Sequence, residues 1–331
     1  MKEAGMNSRK NILYALNGTG SGHITRARVI LPELEKKYNV DVLVSGKNHI
    51  IETDFKVKYN FKGFTFHINS NGKVSYFKSI LINNIFRFFY DTLTLNLSKY
   101  DLIISDFEPI SAWASKIKRK SSLQLSHQAC LLSQKTPRPK KIDKIAEFFI
   151  KWYSPCDKKI GFHFNKYDSY IFGPLLRDKI IQASPKTENY YVVYLWNYSA
   201  MFLVKELSKL SNYKFKIFDS KTLEPKKINN CEIIPTGDDT FFNSILNCKG
   251  VICGAGFELP AEVLHLEKKL YVIPIGNQYE QVCNAEALIK MGVDCYSKFY
   301  GKHILAWLEK GYKKVKLNEI CKVQDVIKKI C

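Results

Sequence analysis

The tightest constraint on the fold is an alternation. Short apolar runs of strand length recur along the chain, each followed by a stretch with helical periodicity, and the first empties into a glycine loop. "NILYAL" (11–16) leads into "NGTGSGH", a helical pattern covers 24–38, and "VDVLVSG" (40–46) reads as the next strand. Strand, turn, helix, strand is a βαβ unit, whose crossover makes its two strands parallel. Pro32 falls inside that helix and is expected to kink it. "DLIISD" (101–106), a helix from about Ile110, and "SSLQLS" (121–126) continue the pattern. Around "IFGPLLRD" (171–178) it starts afresh, with strands at "YYVVYLW", "KFKIFD", "CEIIP", "GVICGAG" and "KLYVIPI". Such alternation predicts α/β architecture with doubly wound parallel sheets. A chain of 331 residues has room for two cores, joined near Gly173-Pro174.

The loops after the strands are where such sheets bind ligands. Gly18, Gly20 and Gly22 precede a helix whose N-terminus favours negative charge. No Lys-Ser/Thr follows them, so this is not a phosphate-binding P-loop. The spacing is not GxGxxG, and the second strand ends in Ser45-Gly46 with no acid for a ribose, so the dinucleotide fingerprint fails too. His23 falls in the first helical turn, where a neutral imidazole could accept a proton. The plainer alternatives are a turn that only packs helix on sheet and a histidine that hydrogen-bonds locally. "ICGAGFELPAEVLHL" (252–266) repeats the theme in the second half: a strand ends in Gly254-Ala255-Gly256, Pro260 suits a first helical position, and Glu262 lies one turn in. In "IPIGNQYEQVCNAEALIKMG", Gly292 closes the following helix.

Taken in order, GAGxxxxxE, the strand with Pro274, Glu280-Gln281-x-x-Asn284-Ala285 and Gly292 resemble the donor-binding half of GT-B glycosyltransferases. The pattern is most similar to families one and twenty-eight, the UDP-glycosyltransferases and the lipid-linked N-acetylglucosaminyltransferase of peptidoglycan synthesis. Gly20-Ser21-Gly22-His23-x-x-Arg26 resembles their first loop, and "ISDFEPISAWASK" (104–116) their acceptor-domain strand with its aspartate. The resemblance implies two Rossmann-like domains facing a central cleft: an acceptor domain over 1–175, a donor domain over 176–310, and a C-terminal helix within 311–331 packing back on the first domain. It also implies roles. Glu262 would bind the donor ribose, the backbone of Gly254, Ala255, Gly256 and Phe257 would take the diphosphate, and Glu280 and Gln281 would contact the donor sugar. His23 would be the general base and Asp106 its orienting partner. A hydroxyl is a weak nucleophile and needs a positioned base, while the departing diphosphate needs donors. Gly20, Gly22, Glu108, His127 and Asn197 complete the cleft candidates, and Glu108 or His127 could replace His23 as base. Asn197-Tyr198-Ser199 stands where the family often has a glycine-rich turn.

The activity implied is metal-independent transfer of a sugar from a nucleotide sugar, a UDP-sugar first, to a hydroxyl, with inversion. No cofactor is implied, and no cysteine pair has CxxC or zinc-like spacing. The nine scattered cysteines read as reduced thiols, and the N-terminus does not read as a secretory leader, so a cytoplasmic enzyme is expected. Net charge is +20. Residues 115–166 hold 13 basic side chains against 3 acidic ones, a field that attracts anions. "FKSILINNIFRFFYDTLTLNL" (77–97) carries an apolar stripe of Phe77, Leu81, Ile85, Phe88 and Phe89, and 135–159 mixes lysines with aromatics. The first reads as a core helix or, instead, as a surface face resting on a bilayer. The second suits an enzyme at the inner face of an anionic membrane with a lipid or cell-surface glycan acceptor, with a groove for a polyanionic glycan as the near alternative. Two rivals stay open: epimerisation of a UDP-sugar on the same fold, and non-catalytic binding of nucleic acid or an acidic surface. Glu262 and Glu280 at the cleft edge speak against nucleic acid.

Overall fold

The structure is a computed structural model that describes residues 9–46, 55–65, 67, 75–276 and 278–330. The first domain is built on β1 (Asn11–Asn17), β2 (Asn39–Ser45), β3 (Val57–Phe61), β4 (Leu102–Asp106), β5 (Ser122–Ser126), β6 (Lys158–Phe162) and β7 (Ile171–Phe172), in the order 3-2-1-4-5-6-7. Every pairing in it is parallel. The second is built on β8 (Tyr191–Tyr194), β9 (Phe215–Asp219), β10 (Lys226–Ile228), β11 (Cys231–Pro235), β12 (Gly250–Cys253), β13 (Lys269–Val272) and β14 (Asp294–Cys295), in the order 10-11-9-8-12-13-14. Only β10 runs antiparallel to its neighbour. Both sheets are doubly wound, and their strand order reverses between β1 and β4 and between β8 and β12. Crevices open at those points, beyond the carboxyl ends of the strands.

The central strands are apolar because helices cover both faces. Leu13, Tyr14, Ala15 and Leu16 of β1 are inaccessible to solvent. One apolar cluster runs from Ile24 and Leu31 in the first helix (Ser21–Glu35) through Phe164 and Phe257 to Val263 and Val326. It therefore crosses from one domain to the other.

Several local expectations shift. The first helix continues through Pro32 to Glu35. Its apolar face is fully packed, and that packing outweighs one lost backbone hydrogen bond. The helix after β12 begins at Glu258, not Pro260. Proline is tolerated at its third position because the first four N–H groups lack helical partners anyway. β6, inside the lysine-rich stretch, is a buried strand that charge had masked. The stripe at 77–97 is two helices, Tyr76–Ile82 and Ile85–Thr94. Asn84 separates them, its side chain accepting from Arg87 N at 2.9 Å as an N-cap. The Phe77 side chain lies outside the described residues. The second of these helices buries Asp91 and Thr92 and leaves Phe86 88 % exposed, with Phe89, Tyr90 and Leu93 also outward.

The chain crosses between domains at Gly173-Pro174, and its C-terminal segment returns there: Cys321 N donates to Pro174 O at 2.8 Å. The last helix, Val323–Ile330, packs against the first helix. A Cβ on Gly173 would stand 2.5 Å from Glu319 O, closer than any real contact. Gly173→Val should therefore dislodge the C-terminal segment and lower stability by about 1–3 kcal/mol, read as a lower melting temperature and earlier proteolysis beyond residue 310.

Candidate active site

β1 and β4 are neighbours in register, with Leu16 opposite Asp106. The loop after β1 therefore delivers the first helix to the end of β4. His23 and Arg26 are three residues apart on that helix, so they share a face. Both turn toward Asp106, which has no solvent exposure. His23 Nδ1 lies 2.8 Å from Asp106 Oδ1. Arg26 holds the same carboxylate at two points, Nε to Oδ2 and Nη2 to Oδ1, each 2.9 Å. Burial pushes the Asp106 carboxyl up, but Arg26 and then His23 outweigh it and hold the group below its ordinary value. It is a carboxylate and can only accept, so the hydrogen of His23 sits on Nδ1 and the Nε2 lone pair is free of it. No side chain caps the helix, whose N-cap is Gly20.

The second domain meets this group through Glu258, which accepts from Arg26 Nη1 at 2.8 Å. Gly22 makes room for it, since a Cβ there would stand 3.2 Å from Glu258 Cγ. Burial raises the Glu258 carboxyl to about 7; Arg26 works against the rise, and Glu262 and Asp106 add to it. Solvent reaches 22 % of its side chain. Glu262, one turn on, is gripped by Arg177 at two points of 2.9 Å each.

The two donor-side loops are tied together by one amide. Gln281 Oε1 accepts from Ala255 N at 3.2 Å and from Ile275 N at 3.1 Å. Asn284 Nδ2 donates to Ala255 O at 3.0 Å. Gln281 thus shapes the loop of Gly254, Ala255, Gly256 and Phe257 with the oxygen that the resemblance gave to a sugar. Glu280 accepts from Gln128 of the first domain at 3.0 Å. Asn197 is exposed in the loop after β8, beside that of β12.

Two candidates are taken by other work. Glu108 does not line the cleft. It has no exposure and caps the Pro109–Ile117 helix, accepting from Ile110 N at 2.8 Å, Ser111 N at 2.6 Å and the Ser45 hydroxyl at 2.6 Å. His127 turns Nδ1 to Phe162 O at 2.8 Å and Nε2 to Asn284 Oδ1 at 3.0 Å, and a neutral ring donates to one of these two carbonyl oxygens. Its ring stacks on Phe257 at 4.1 Å. It is a contact between domains, and burial holds its imidazole below the ordinary value. Glu258 and Arg177 were not foreseen. Glu258 is signalled by its four-residue spacing from Glu262, whereas Arg177 has no local signal. Among the described residues no group of three His, Cys, Asp or Glu side chains is arranged to hold a metal ion.

The raised Glu258 makes a pH test. Its protonated form is favoured in the folded state, a contribution complete below about 4.5 and lost as pH rises through about 7. Glu258→Gln mimics that form at every pH. The variant should melt like the parent at pH 5 and above it at pH 8, with the gap opening through neutrality.

Residues 10–304 match the family model described as glycosyl transferase family 1. No curated protein matches the chain. Among solved structures, the glycotransferase of kitacinnamycin superposes with a TM-score of 0.61 at 10% identity, over 91% of this chain and 90% of that one. MurG of Acinetobacter baumannii gives 0.56 at 15%, over 91% of each. UGT89C1 of Arabidopsis thaliana, complexed with UDP-L-rhamnose, gives 0.58 at 11%, over 98% of this chain and 93% of that one. These are GT-B glycosyltransferases, and the fold of this chain is theirs.

Proposed function

The chain belongs to glycosyl transferase family 1, and from that premise we propose that it moves a sugar from a UDP-sugar to a hydroxyl acceptor, inverting the anomeric centre and using no metal ion or organic cofactor. The observation that carries this reading is the His23–Asp106 pair at the crevice between β1 and β4. His23 Nε2 takes the proton of the acceptor hydroxyl as its oxygen attacks the anomeric carbon. The bond from that carbon to the diphosphate oxygen breaks on the opposite face, so one displacement inverts the centre. Negative charge gathers on the leaving UDP. The N–H groups of Gly256 and Phe257 and of the helix behind them are suited to meet that charge. Neighbours of the same fold are complexed with UDP-L-rhamnose and with dTDP, and UDP is the nucleotide proposed here.

The acceptor is proposed to be borne by a lipid, with the first domain resting on the inner face of an anionic membrane. Phe86, Phe89 and Leu93 point outward from one helix, and Ile145, Phe148 and Trp152 from another, Lys144–Tyr153. Phe64 joins the two, in edge contact with Phe88 at 6.5 Å and Tyr153 at 6.3 Å. Lys116 lies over the Trp152 ring at 5.0 Å. A groove of about 970 Å³ runs beside the second helix, with Lys116, Arg138, Lys144 and Lys151 on its walls. Apolar side chains ringed by cations fit a bilayer of acidic lipids. Among the described residues no helix is long and apolar enough to cross one.

Melting with UDP, GDP, dTDP, ADP, NAD and single-stranded DNA tests the donor. UDP at about 100 times its dissociation constant adds about 2.7 kcal/mol; a selective shift with UDP is expected, and a shift with DNA alone overturns the reading. Asp106→Asn should cut UDP release from a turned-over UDP-sugar by about 10²- to 10⁴-fold while keeping the UDP shift. Vesicles containing acidic lipid should pellet the protein at low salt and lose it when Phe86 and Phe148 become serine. Protein that stays in solution in both cases removes the membrane.

A further inference from the structure

The pair of acid and imidazole is incomplete as a description of this site, because a third side chain holds it together. Arg26 is 3 % exposed, and each of its three kinds of nitrogen is used. Nε and Nη2 grip the two oxygens of Asp106, Nη1 reaches Glu258, and the guanidinium carbon lies 5.7 Å from the centre of the Phe162 ring. Nη2 comes within 3.3 Å of His23 Nδ1. Both are hydrogen-bearing nitrogens turned to the same oxygen, Asp106 Oδ1. A two-point grip fixes the plane of a carboxylate, which a single ammonium cannot do.

We propose that Arg26 is a positioning residue: it keeps Asp106 an acceptor, sets Oδ1 in line with His23 Nδ1, and thereby selects the imidazole tautomer whose Nε2 is bare. The use of that tautomer in catalysis rests on the glycosyl-transfer reading above, but the tautomer itself does not. The charged and titratable groups facing Asp106 are Tyr14 from β1, His23 and Arg26 from the first helix, and Glu258 from the second domain. Of these, Arg26 does most to keep the carboxylate ionised against burial. Without that cation, burial favours the protonated Asp106 carboxyl, which donates its hydrogen to Nδ1. The imidazole hydrogen then sits on Nε2, and the lone pair that would take a proton from a hydroxyl is gone. An amide partner that imposes the wrong tautomer on a catalytic histidine is known to do comparable damage.

The test is ¹⁵N NMR of the full chain labelled at histidine, with the His23 signals identified by their loss in His23→Gln. The parent should show a protonated Nδ1 and a bare Nε2. Arg26→Gln keeps hydrogen-bonding ability without the charge. It should show the reverse pattern near pH 7 and return toward the parent pattern as pH rises and Asp106 ionises. Release of UDP from a UDP-sugar should fall by about 10²- to 10⁴-fold near pH 7 and recover along the same pH course. Arg26→Lys keeps the charge but not the two-point grip, and should show both tautomers. A folded Arg26→Gln with the parent pattern at every pH overturns the proposal. If that variant does not fold, an unmixed parent pattern in Arg26→Lys does so instead. A tautomer that switches in a protein that turns over no UDP-sugar would remove the glycosyl-transfer reading and leave the role of Arg26 standing.

Discussion

A guanidinium and a carboxylate taken out of water together form the contact on which the rest of this molecule depends. Moving either ion alone into the interior would cost several kcal/mol, and their attraction offsets that cost only when geometry is good and the remaining donors are used. Arg26 and Asp106 meet both conditions, with two parallel hydrogen bonds and a third to Glu258. The demand for complete pairing propagates outward. The first helix must enter at an angle that points two side chains at β4, Gly22 leaves Glu258 close to the helix backbone, and the second domain must bring an acid to the same place. The interface between the domains is thus tied to the chemistry at the end of β4.

Most of the scaffold was legible because its signals are local. β1, β2, β4 and β5 are apolar runs bounded by turns, and their observed limits fall within a residue of the runs read from the chain. β6 was not legible, since "KKIGF" has two lysines at its exposed start and only its last three residues are buried. The order of motifs also indicated the family, and assigned His23 and Asp106 to the first domain and Glu262 and Gln281 to the second. What the chain could not reveal is which atoms are already engaged. Glu108 and Asp106 are two residues apart and both acidic, yet one caps a helix and the other faces a histidine. That difference comes from the left-handed turn at Phe107, φ 52°, between them. Gln281 reads as a ligand contact by position, but its carbonyl belongs to backbone N–H groups 26 and 6 residues away.

The surface of the first domain inverts the usual rule for helices. Ile85–Thr94 turns aromatic rings to solvent and buries an aspartate and a threonine. An isolated exposed leucine needs no explanation, but contiguous apolar patches mark contact surfaces. The cations around this one are uneven in the same sense as the whole chain, whose first 175 residues carry most of the net +20.

The segment that returns from Cys321 to Ile330 has a consequence for how the protein is made. The first helix, some three hundred residues upstream, has one flank covered only when this last helix arrives. Both domains precede this helix in the chain, so the first domain folds with that flank bare until the tail closes over the crossing at Gly173-Pro174 and seals both halves at once.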